Sequence, residues 1–452
     1  MHMVEYLRGD HRARISFCRT ADPAVLVNPD PMFRWDGRLG VVNATEVDAA
    51  ADRLRDVIRR TPLERSDRLS EDLGVPVLLK REDLQIGRSY KVRGAYNFIS
   101  SLAPEERSLG VVCASAGNHG QGLAFACRRL EIEGRVFLPT STPRQKRERI
   151  RAIGGRWVEL VAAGSSYDEA SAAALADGTK SGAVYVHPFN DARTIAGQGT
   201  VAVQIAEQIQ QFATIVVPVG GGGLIAGIAT WLKESSSQVR IIGAEPAGAA
   251  SMTAALAAGA PVPLSTIDAF VDGAAVGCVG DLTYPIVRDL VDEIVEVPEG
   301  AVCTEILDLY QSEGIIAEPA GALASAATRR FLSEPPEGPI VCIVSGGNND
   351  VSRYAEIVER SLLYEGLRHY FLVTFPQEPG ALRHFLDEVL RDGEDIVVFE
   401  YVKKNNRETG PALVGIEIDH PSRLGGLLQR MAESPLEIEQ VPPGSPLFSF
   451  LL

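Results

Sequence analysis

The sequence predicts an α/β protein with two doubly wound lobes of parallel sheet and a smaller α+β domain after them. Short apolar segments alternate with helical segments from residue 91 to about 188, and again from residue 194 to about 352. Strands that alternate with helices are typical of parallel sheets covered on both faces, so we expect the functional site between the two lobes. After residue 353 the order becomes β-α-β-β-α-β, which is the ferredoxin-like arrangement.

The chain before the first lobe divides into two parts. Residues 1–42 contain prolines and glycines that interrupt any periodicity, which predicts a largely disordered extension. Regular structure is expected from Thr45, a plausible N-cap, with a helix that ends at Thr61 and a strand at residues 75–80. The predicted domains are then residues 43–352, with a small lobe at about 83–187 inserted in the large lobe, and residues 353–452.

Composition and charge exclude several classes of protein. A net charge of -15 argues against a non-specific nucleic-acid binder and favours a cytoplasmic protein. No apolar run is long enough for a bilayer, and the N-terminus has no signal-peptide core, so no membrane partner is expected. Six scattered cysteines form no CxxC pair, and seven histidines have no metal-ligand spacing, which fits a reducing compartment.

Lys91 lies between an aromatic residue, Tyr90, and a turn of small residues. A lone lysine is usually a surface charge, but a buried lysine with a lowered pKa can form a Schiff base with a carbonyl cofactor. Three further motifs follow in order, and together they favour the second interpretation: Ser115-Ala116-Gly117-Asn118-His119, Gly220-Gly221-Gly222-Gly223-Leu224 and Ser345-Gly346-Gly347-Asn348.

The four glycines at 220–223 follow a buried strand and open a helix, where backbone N–H groups can bind an anion. No Lys-Ser/Thr pair follows, so the tract is not a P-loop. Gly221, Gly223 and Ala226 also satisfy a loose dinucleotide fingerprint, with Glu245 placed to bind a ribose hydroxyl. A nicotinamide-binding protein therefore remains an alternative on this pattern alone, although it leaves the other motifs unexplained.

In this order and at this spacing, the four motifs resemble those of the fold-type-II pyridoxal-phosphate (PLP) enzymes. Within them the chain resembles the threonine ammonia-lyases of the biosynthetic form, over about residues 43–452. The resemblance implies that Lys91 binds the PLP aldehyde and moves the Cα proton, and that Tyr90 packs near the cofactor. It further implies three contacts with PLP: Asn118 with the phenolic oxygen, Gly220, Gly221, Gly222, Gly223 and Leu224 with the phosphate, and Ser345 with the pyridine nitrogen. Ser115, Asn118 and His119 would receive the substrate carboxylate.

The implied reaction is the β-elimination of L-threonine to 2-oxobutanoate and ammonia, the first step of isoleucine biosynthesis, with L-serine as a second candidate substrate. A serine beside the pyridine nitrogen gives a weaker electron sink than a carboxylate would, which suits elimination. Ala116 stands at the position where the resemblance implies a serine in related racemases. Alanine cannot transfer a proton, so we expect elimination without racemisation. The alternatives are a serine dehydratase, a threonine synthase, or a non-catalytic amino-acid sensor.

Two carboxylates are left with open roles. Glu245 begins a segment that resembles the cation loop of some relatives, but Ser251 stands where a third, acidic ligand is expected, and we predict no metal. Glu318 matches a family segment near the cofactor, and it is equally well explained as a carboxylate at a helix N-terminus, favoured by the helix dipole.

The C-terminal domain resembles the regulatory, ACT-like part of the threonine ammonia-lyases through the segment from Phe375 to Leu382. This segment occurs once, whereas longer relatives carry two copies. The resemblance implies inhibition by isoleucine, relief by valine and a homotetramer. The residues that contact the effectors are not identifiable from the sequence.

Overall fold

The structure is a computed structural model that describes residues 42–235, 238–334, 337–401, 408–442 and 445. The extension predicted for residues 1–42 lies outside this part of the chain except for its last residue. Most of the polar loop predicted between the second and third strands of the C-terminal domain, residues 403–410, also lies outside it.

Fourteen strands form three sheets in the described residues. The strands are β1 (Leu63–Ser66), β2 (Val77–Arg81), β3 (Val111–Ala114), β4 (Gly134–Leu138), β5 (Val158–Ala162), β6 (Val184–Tyr185), β7 (Thr214–Pro218), β8 (Arg240–Pro246), β9 (Glu293–Val297), β10 (Ile340–Val344), β11 (Arg368–Pro376), β12 (Glu394–Tyr401), β13 (Thr409–Ile418) and β14 (Glu437–Gln440).

The same part of the chain contains sixteen α-helices. They are α1 (Ala44–Leu54), α2 (Asp67–Leu73), α3 (Lys91–Ser100), α4 (Pro104–Leu109), α5 (Asn118–Leu130), α6 (Arg144–Gly154), α7 (Tyr167–Ser181), α8 (Ala192–Gln208), α9 (Gly223–Ser235), α10 (Ser251–Ala258), α11 (Thr283–Leu290), α12 (Glu299–Glu313), α13 (Pro319–Arg330), α14 (Tyr354–Tyr364), α15 (Ala381–Glu388) and α16 (Leu424–Glu433). None of the described helices combines the length and the apolar character needed to cross a membrane.

The large sheet has the strand order β1-β2-β10-β7-β8-β9. Its neighbouring strands are parallel except for β1, which pairs antiparallel with β2. Every residue of β7 and β10 is buried, as expected for central strands covered by helices on both faces. The predicted parallel sheet is confirmed, and the antiparallel edge strand was not predicted.

The first helix differs from its prediction at both ends. Asn43, not Thr45, is the N-cap: its side chain accepts from the backbone N–H of Glu46, and the Glu46 carboxylate accepts from the Asn43 backbone in return. The helix ends at Leu54 rather than at Thr61, so the chain has room to form β1 before β2.

The small sheet has the order β5-β4-β3-β6, and all its strand pairs are parallel. Helix α5 packs against this sheet through Leu123 and Cys127, which share a buried core with Val111 and Val136. The sheet falls within the small lobe predicted at about 83–187. The exact domain boundaries remain a prediction.

The C-terminal sheet has the order β12-β13-β11-β14, and all its strand pairs are antiparallel. Helices α15 and α16 pack on it through Phe385 and Leu427, against Phe371, Phe375 and Val414. This strand order and the β-α-β-β-α-β sequence of elements confirm the ferredoxin-like prediction.

Candidate functional site

Three of the four sequence motifs follow the carboxyl ends of parallel strands, where open α/β sheets bind ligands. Ser115 follows β3, Gly220 comes shortly after β7, and Ser345 follows β10. The remaining motif, at Lys91, is joined to the Ser345 motif by a backbone hydrogen bond of 3.1 Å from the Tyr90 N–H to the Ser345 carbonyl oxygen. Lys91 and Ser345 are 254 residues apart in the chain (345 − 91). The fold nevertheless brings their motifs together.

The amine of Lys91 is half-buried and has few hydrogen-bond partners. Its Nζ donates to the carbonyl oxygen of Pro188 at 3.3 Å and lies 5.3 Å from the centroid of the Tyr90 ring. Burial lowers the pKa of this amine to about 8, although the nearby Glu318 carboxylate acts in the opposite direction. A larger fraction of Lys91 is therefore neutral near pH 8 than for an ordinary lysine, and a neutral amine is the nucleophilic form.

A second buried lysine, Lys80, shows why a lowered pKa alone does not identify a reactive amine. Burial lowers the pKa of Lys80 to about 7. However, its Nζ donates to three acceptors: the Thr61 carbonyl at 2.8 Å, Gln204 Oε1 at 3.2 Å and Gln208 Oε1 at 2.8 Å. Because an ammonium has three donors, all the donors of Lys80 are occupied, and Lys91 is the lysine whose amine is available.

The glycine tract forms a turn in which side chains do not fit. Gly222 has a φ of +89°, a conformation that favours glycine. A Cβ atom added at Gly221 would lie 2.4 Å from the Phe189 ring, and one at Gly223 would lie 2.9 Å from Phe189. Thr283 fixes the turn by donating from Oγ1 to the Gly221 carbonyl at 2.7 Å.

Helix α9 begins at Gly223, so its first N–H groups have no acceptor within the helix and are available to an anion. Leu224 is the second residue of this helix, and its backbone N–H belongs to the same group of donors. The turn therefore fits a phosphate, because it offers backbone N–H donors that no side chain of the tract covers. The space that such side chains would need is occupied by Phe189, Met252 and Thr283.

The segment Pro188-Phe189 connects the lysine to the glycine turn, and the sequence analysis missed it. The Pro188 carbonyl accepts from Lys91, and the next residue, Phe189, packs against Gly221 and Gly223. The amine and the anion site are therefore held against two adjoining residues. No motif marks this segment in the sequence, since its function depends on a backbone carbonyl and on the shape of a ring.

The head of helix α5 supplies a second set of backbone donors. Ser115 Oγ accepts from the Gly117 N–H at 3.2 Å, and the helix begins at Asn118. His119 Nε2 lies 2.8 Å from the Val186 carbonyl, which requires the proton on Nε2, and Nδ1 has no described partner. Burial lowers the pKa of His119 to about 3, so the ring is neutral. A substrate carboxylate would thus meet the backbone N–H of His119 rather than a charged imidazole.

Glu318 stands at the N-cap position of α13, as one interpretation expected, and its side chain also contacts Asn118. Its carboxylate makes no cap to α13, and its Oε1 accepts from Asn118 Nδ2 at 2.6 Å. Burial raises the pKa of Glu318 to about 7. Ser345, also buried, donates from Oγ to the Ala320 carbonyl at 3.1 Å.

Glu245 is buried, and its side chain is turned toward the start of helix α10. Its two carboxylate oxygens accept from the N–H groups of Met252, at 2.7 Å, and Thr253, at 2.9 Å, at the start of α10. The dinucleotide interpretation thereby loses its ribose-binding acid. Within the described residues, no group of three or more His, Cys, Asp or Glu side chains is arranged to hold a metal ion.

Comparison with known proteins identifies the family of this chain. Residues 54–346 match the model of the pyridoxal-phosphate-dependent enzyme family, and residues 359–451 match the C-terminal regulatory domain of threonine dehydratase. The biosynthetic L-threonine dehydratase of Mycobacterium bovis is 56% identical over 425 residues, which cover 93% of this chain and 97% of that protein. The chain belongs to the biosynthetic L-threonine dehydratase family. The family member from Corynebacterium glutamicum is 52% identical over 417 residues, 91% of this chain and 95% of that protein.

Two solved structures that are similar to this chain are named for different activities. The processed form of threonine deaminase isoform 2 from Solanum lycopersicum has a TM-score of 0.67 and 40% identity, and covers 71% of this chain and 87% of its own. Maize serine racemase has a TM-score of 0.66 and 32% identity, and covers 72% of this chain and 99% of its own. The cofactor of this family is PLP, and the lysine, the glycine turn and the buried serine described above fit it.

The lowered pKa of Lys91 makes a pH-dependent prediction for this dehydratase-family chain. Below its pKa the amine is protonated and cannot attack the PLP aldehyde, so we expect the rate of PLP capture by the apoprotein to rise with pH, with a midpoint of about 8. Stopped-flow absorbance between pH 6 and pH 10 measures this rate. A simple alkylamine with PLP serves as the control, with a midpoint of about 10.4. A midpoint of the protein near that of the free amine would contradict the expectation.

Proposed function

We propose that this chain deaminates L-threonine to 2-oxobutanoate and ammonia with PLP bound between its two lobes. The observation that carries the proposal is the half-buried amine of Lys91, which shares the Pro188-Phe189 segment with the glycine turn. An available amine beside an anion site matches a cofactor with an aldehyde and a phosphate. When bound, PLP withdraws electrons from the Cα atom of an attached amino acid and so weakens its Cα–H bond.

Each residue of the site has a proposed role in this reaction. Lys91 would hold the cofactor aldehyde, and its amine would accept the Cα proton of the substrate, for which a pKa of about 8 is suitable. The backbone N–H groups of residues 220–224 would hold the phosphate, and Asn118 would donate to the phenolic oxygen. Ser345 would place its neutral hydroxyl beside the pyridine nitrogen, and the aromatic ring of Tyr90 packs beside the lysine.

The substrate carboxylate is assigned to the head of α5. Ser115 Oγ accepts from the Gly117 N–H just before the helix, and the first N–H groups of the helix, at Asn118 and His119, carry no negative charge. The positive end of the helix dipole favours a carboxylate there. This placement orients the Cα–H bond by holding the substrate at two points, its amine and its carboxylate.

Following keto-acid release from L-threonine and from L-serine tests the proposal directly. We expect a higher kcat/KM for L-threonine. Faster turnover of L-serine would instead favour a serine dehydratase, and a phosphorylated substrate giving threonine would favour a threonine synthase. Chiral analysis of the remaining amino acid tests the racemase alternative raised by the maize neighbour, and with Ala116 in the motif we expect no D-amino acid.

The C-terminal domain is proposed to carry feedback inhibition by isoleucine and its relief by valine. Helix α14 joins this domain to the lobes: Ser361 lies 2.9 Å from Thr304 of α12, and Glu359 accepts from Tyr370 at 2.7 Å and from Arg368, both in β11. Arg368 also pairs with Glu417 of β13. A change in the C-terminal sheet would therefore reach α14 through this partly buried group of charges.

Replacing Arg368 with methionine is expected to weaken inhibition by isoleucine several-fold. The variant leaves Glu359 and Glu417 without their shared partner and loosens the junction, and coupling between sites of this kind is typically about 1–3 kcal/mol. The inhibition curve of keto-acid release measures the effect. Arg383, exposed on α15 with a side-chain exposure of 86%, is the matched control for loss of an arginine. Equal inhibition of both variants and wild type would contradict the role of the junction.

We further propose a homotetramer in the cytoplasm, on the family resemblance. Light scattering of the purified protein tests the assembly, and a dimer or monomer at working concentration would overturn it.

A further inference from the structure

The side-chain amide of Asn118 is held at both ends. Its Nδ2 donates to Glu318 Oε1 at 2.6 Å, and its Oδ1 accepts from Asn348 Nδ2 at 2.6 Å. An amide has two N–H donors, so one N–H of Asn118 remains after the bond to Glu318. The direction in which that N–H points depends on which way round the amide is held.

The surrounding groups allow one orientation. Arg149 donates from Nη1 to Asn348 Oδ1 at 2.6 Å, and Asn348 Nδ2 donates to the Gly87 carbonyl at 2.7 Å. A guanidinium can only donate and a backbone carbonyl can only accept, so the amide of Asn348 cannot be reversed. Its N–H then faces the oxygen of Asn118, and the NH2 group of Asn118 faces Glu318.

Glu318 is built into this arrangement rather than into its own helix. It precedes α13 at the N-cap position but makes no cap with its side chain, and it is only 5% exposed. Its second oxygen, Oε2, accepts from the Asn348 backbone N–H at 3.1 Å. A Cβ atom at Gly346 would lie 2.2 Å from Oε1, so the glycine at this position leaves the space that the carboxylate occupies.

We propose that Glu318 is a positioning residue for the cofactor, which orients the amide of Asn118 so that its remaining N–H faces the phenolic oxygen of PLP. The inference rests on the proposed function, because it needs PLP beside Asn118. It extends that function by giving a role to a carboxylate that touches neither the reacting atoms nor the phosphate turn. The charged or titratable groups near Glu318 are Lys91 and Tyr90 at the start of α3, Lys146 on α6, and Asp272.

Replacing Glu318 with glutamine tests this role with little change in shape. The carboxylate accepts one hydrogen bond on each oxygen, whereas glutamine has one oxygen and an NH2 group, so either Asn118 or Asn348 loses its acceptor. In the E318Q variant we expect the dissociation constant for PLP to rise about tenfold and the absorbance maximum of the bound cofactor to shift. Glu356→Gln, which removes a carboxylate paired with Arg360 on α14, is the control and should change neither.

A double-mutant cycle with Asn118→Ala separates positioning from a general effect on the fold. If Glu318 acts through Asn118, then E318Q adds no further weakening of PLP binding in the N118A background. Multiplied effects of the two changes would overturn the inference, and so would E318Q with the affinity and absorbance of wild type.

Should E318Q not fold, as judged by thermal unfolding of the apoprotein, Glu318→Asp keeps the charge but is too short for the same bond. The same cycle and the same two outcomes then apply to it. Failure of the wild-type chain to bind PLP would count against the proposed function itself. This result distinguishes failure of the proposed function from failure of the inference about Glu318.

Discussion

Replacing Lys91 with alanine is expected to lower kcat/KM for L-threonine by at least about 10³-fold, since acid–base catalysis alone contributes about 10²–10⁴-fold. The variant loses both the amine that holds PLP and the base that takes the Cα proton. The half-buried amine of Lys91 has one described hydrogen bond, to the Pro188 carbonyl, so removal of the lysine side chain breaks little else in the fold. Keto-acid release measures the rate, and thermal unfolding of the apoprotein checks that the chain remains folded.

Two comparisons make the result specific to Lys91. Lys180→Ala, a change in an exposed lysine near the end of α7, should keep wild-type activity. Treatment of the wild-type protein with borohydride fixes PLP to the lysine that holds it, and peptide mapping then shows which one it is. Attachment at Lys80, the other buried lysine with a lowered pKa, would contradict the assignment, as would a Lys91→Ala variant of normal activity.

The parts of the fold that the sequence predicted are those in which local pattern and tertiary environment agree. Helix α5, from Asn118 to Leu130, falls in the region where the sequence predicted alternating strands and helices, because apolar residues recur there at helical spacing. The C-terminal domain was predicted because its alternation of strands and helices is regular. The start of α1 was misplaced because Asn43 and Thr45 are both acceptable N-caps, and the choice depends on the reciprocal bond with Glu46.

The candidate site was predicted as a set of motifs, but its connections were not. The order and spacing of Lys91, Asn118, the glycines and Ser345 indicated the chemistry through their resemblance to the motifs of a known enzyme family. The contact between Asn118 and Glu318 joins residues 200 apart, and the packing of Phe189 on Gly221 depends on the shape of the turn. Such contacts are decided by tertiary packing and leave no periodic signal along the chain.

The glycine turn gives the second large expected effect. In a Gly222→Ala variant, a residue with a Cβ atom must adopt a φ of +89°, which costs about 1–2 kcal/mol, and its Cβ would lie 2.8 Å from Met252 and 2.9 Å from Thr283. The clash adds an overpacking cost of about 1–3 kcal/mol unless the turn moves. A turn that moves no longer directs its N–H groups at the phosphate. We therefore expect the dissociation constant for PLP to rise about tenfold or more, measured by absorbance titration of the apoprotein.

Gly259, which ends helix α10, provides the matched control for this change. It has a φ of +76°, but nothing lies within 4 Å of an added Cβ atom. Gly259→Ala thus carries the conformational cost without the clash, and it should lower the free energy of unfolding by about 1 kcal/mol while leaving PLP affinity unchanged. If the two variants lost PLP affinity equally, the loss would reflect general stability, and the turn at residues 220–223 would not be the phosphate site. If only Gly222→Ala loses affinity, the shape of that turn is required for the cofactor, as its close packing against Phe189 and Thr283 implies.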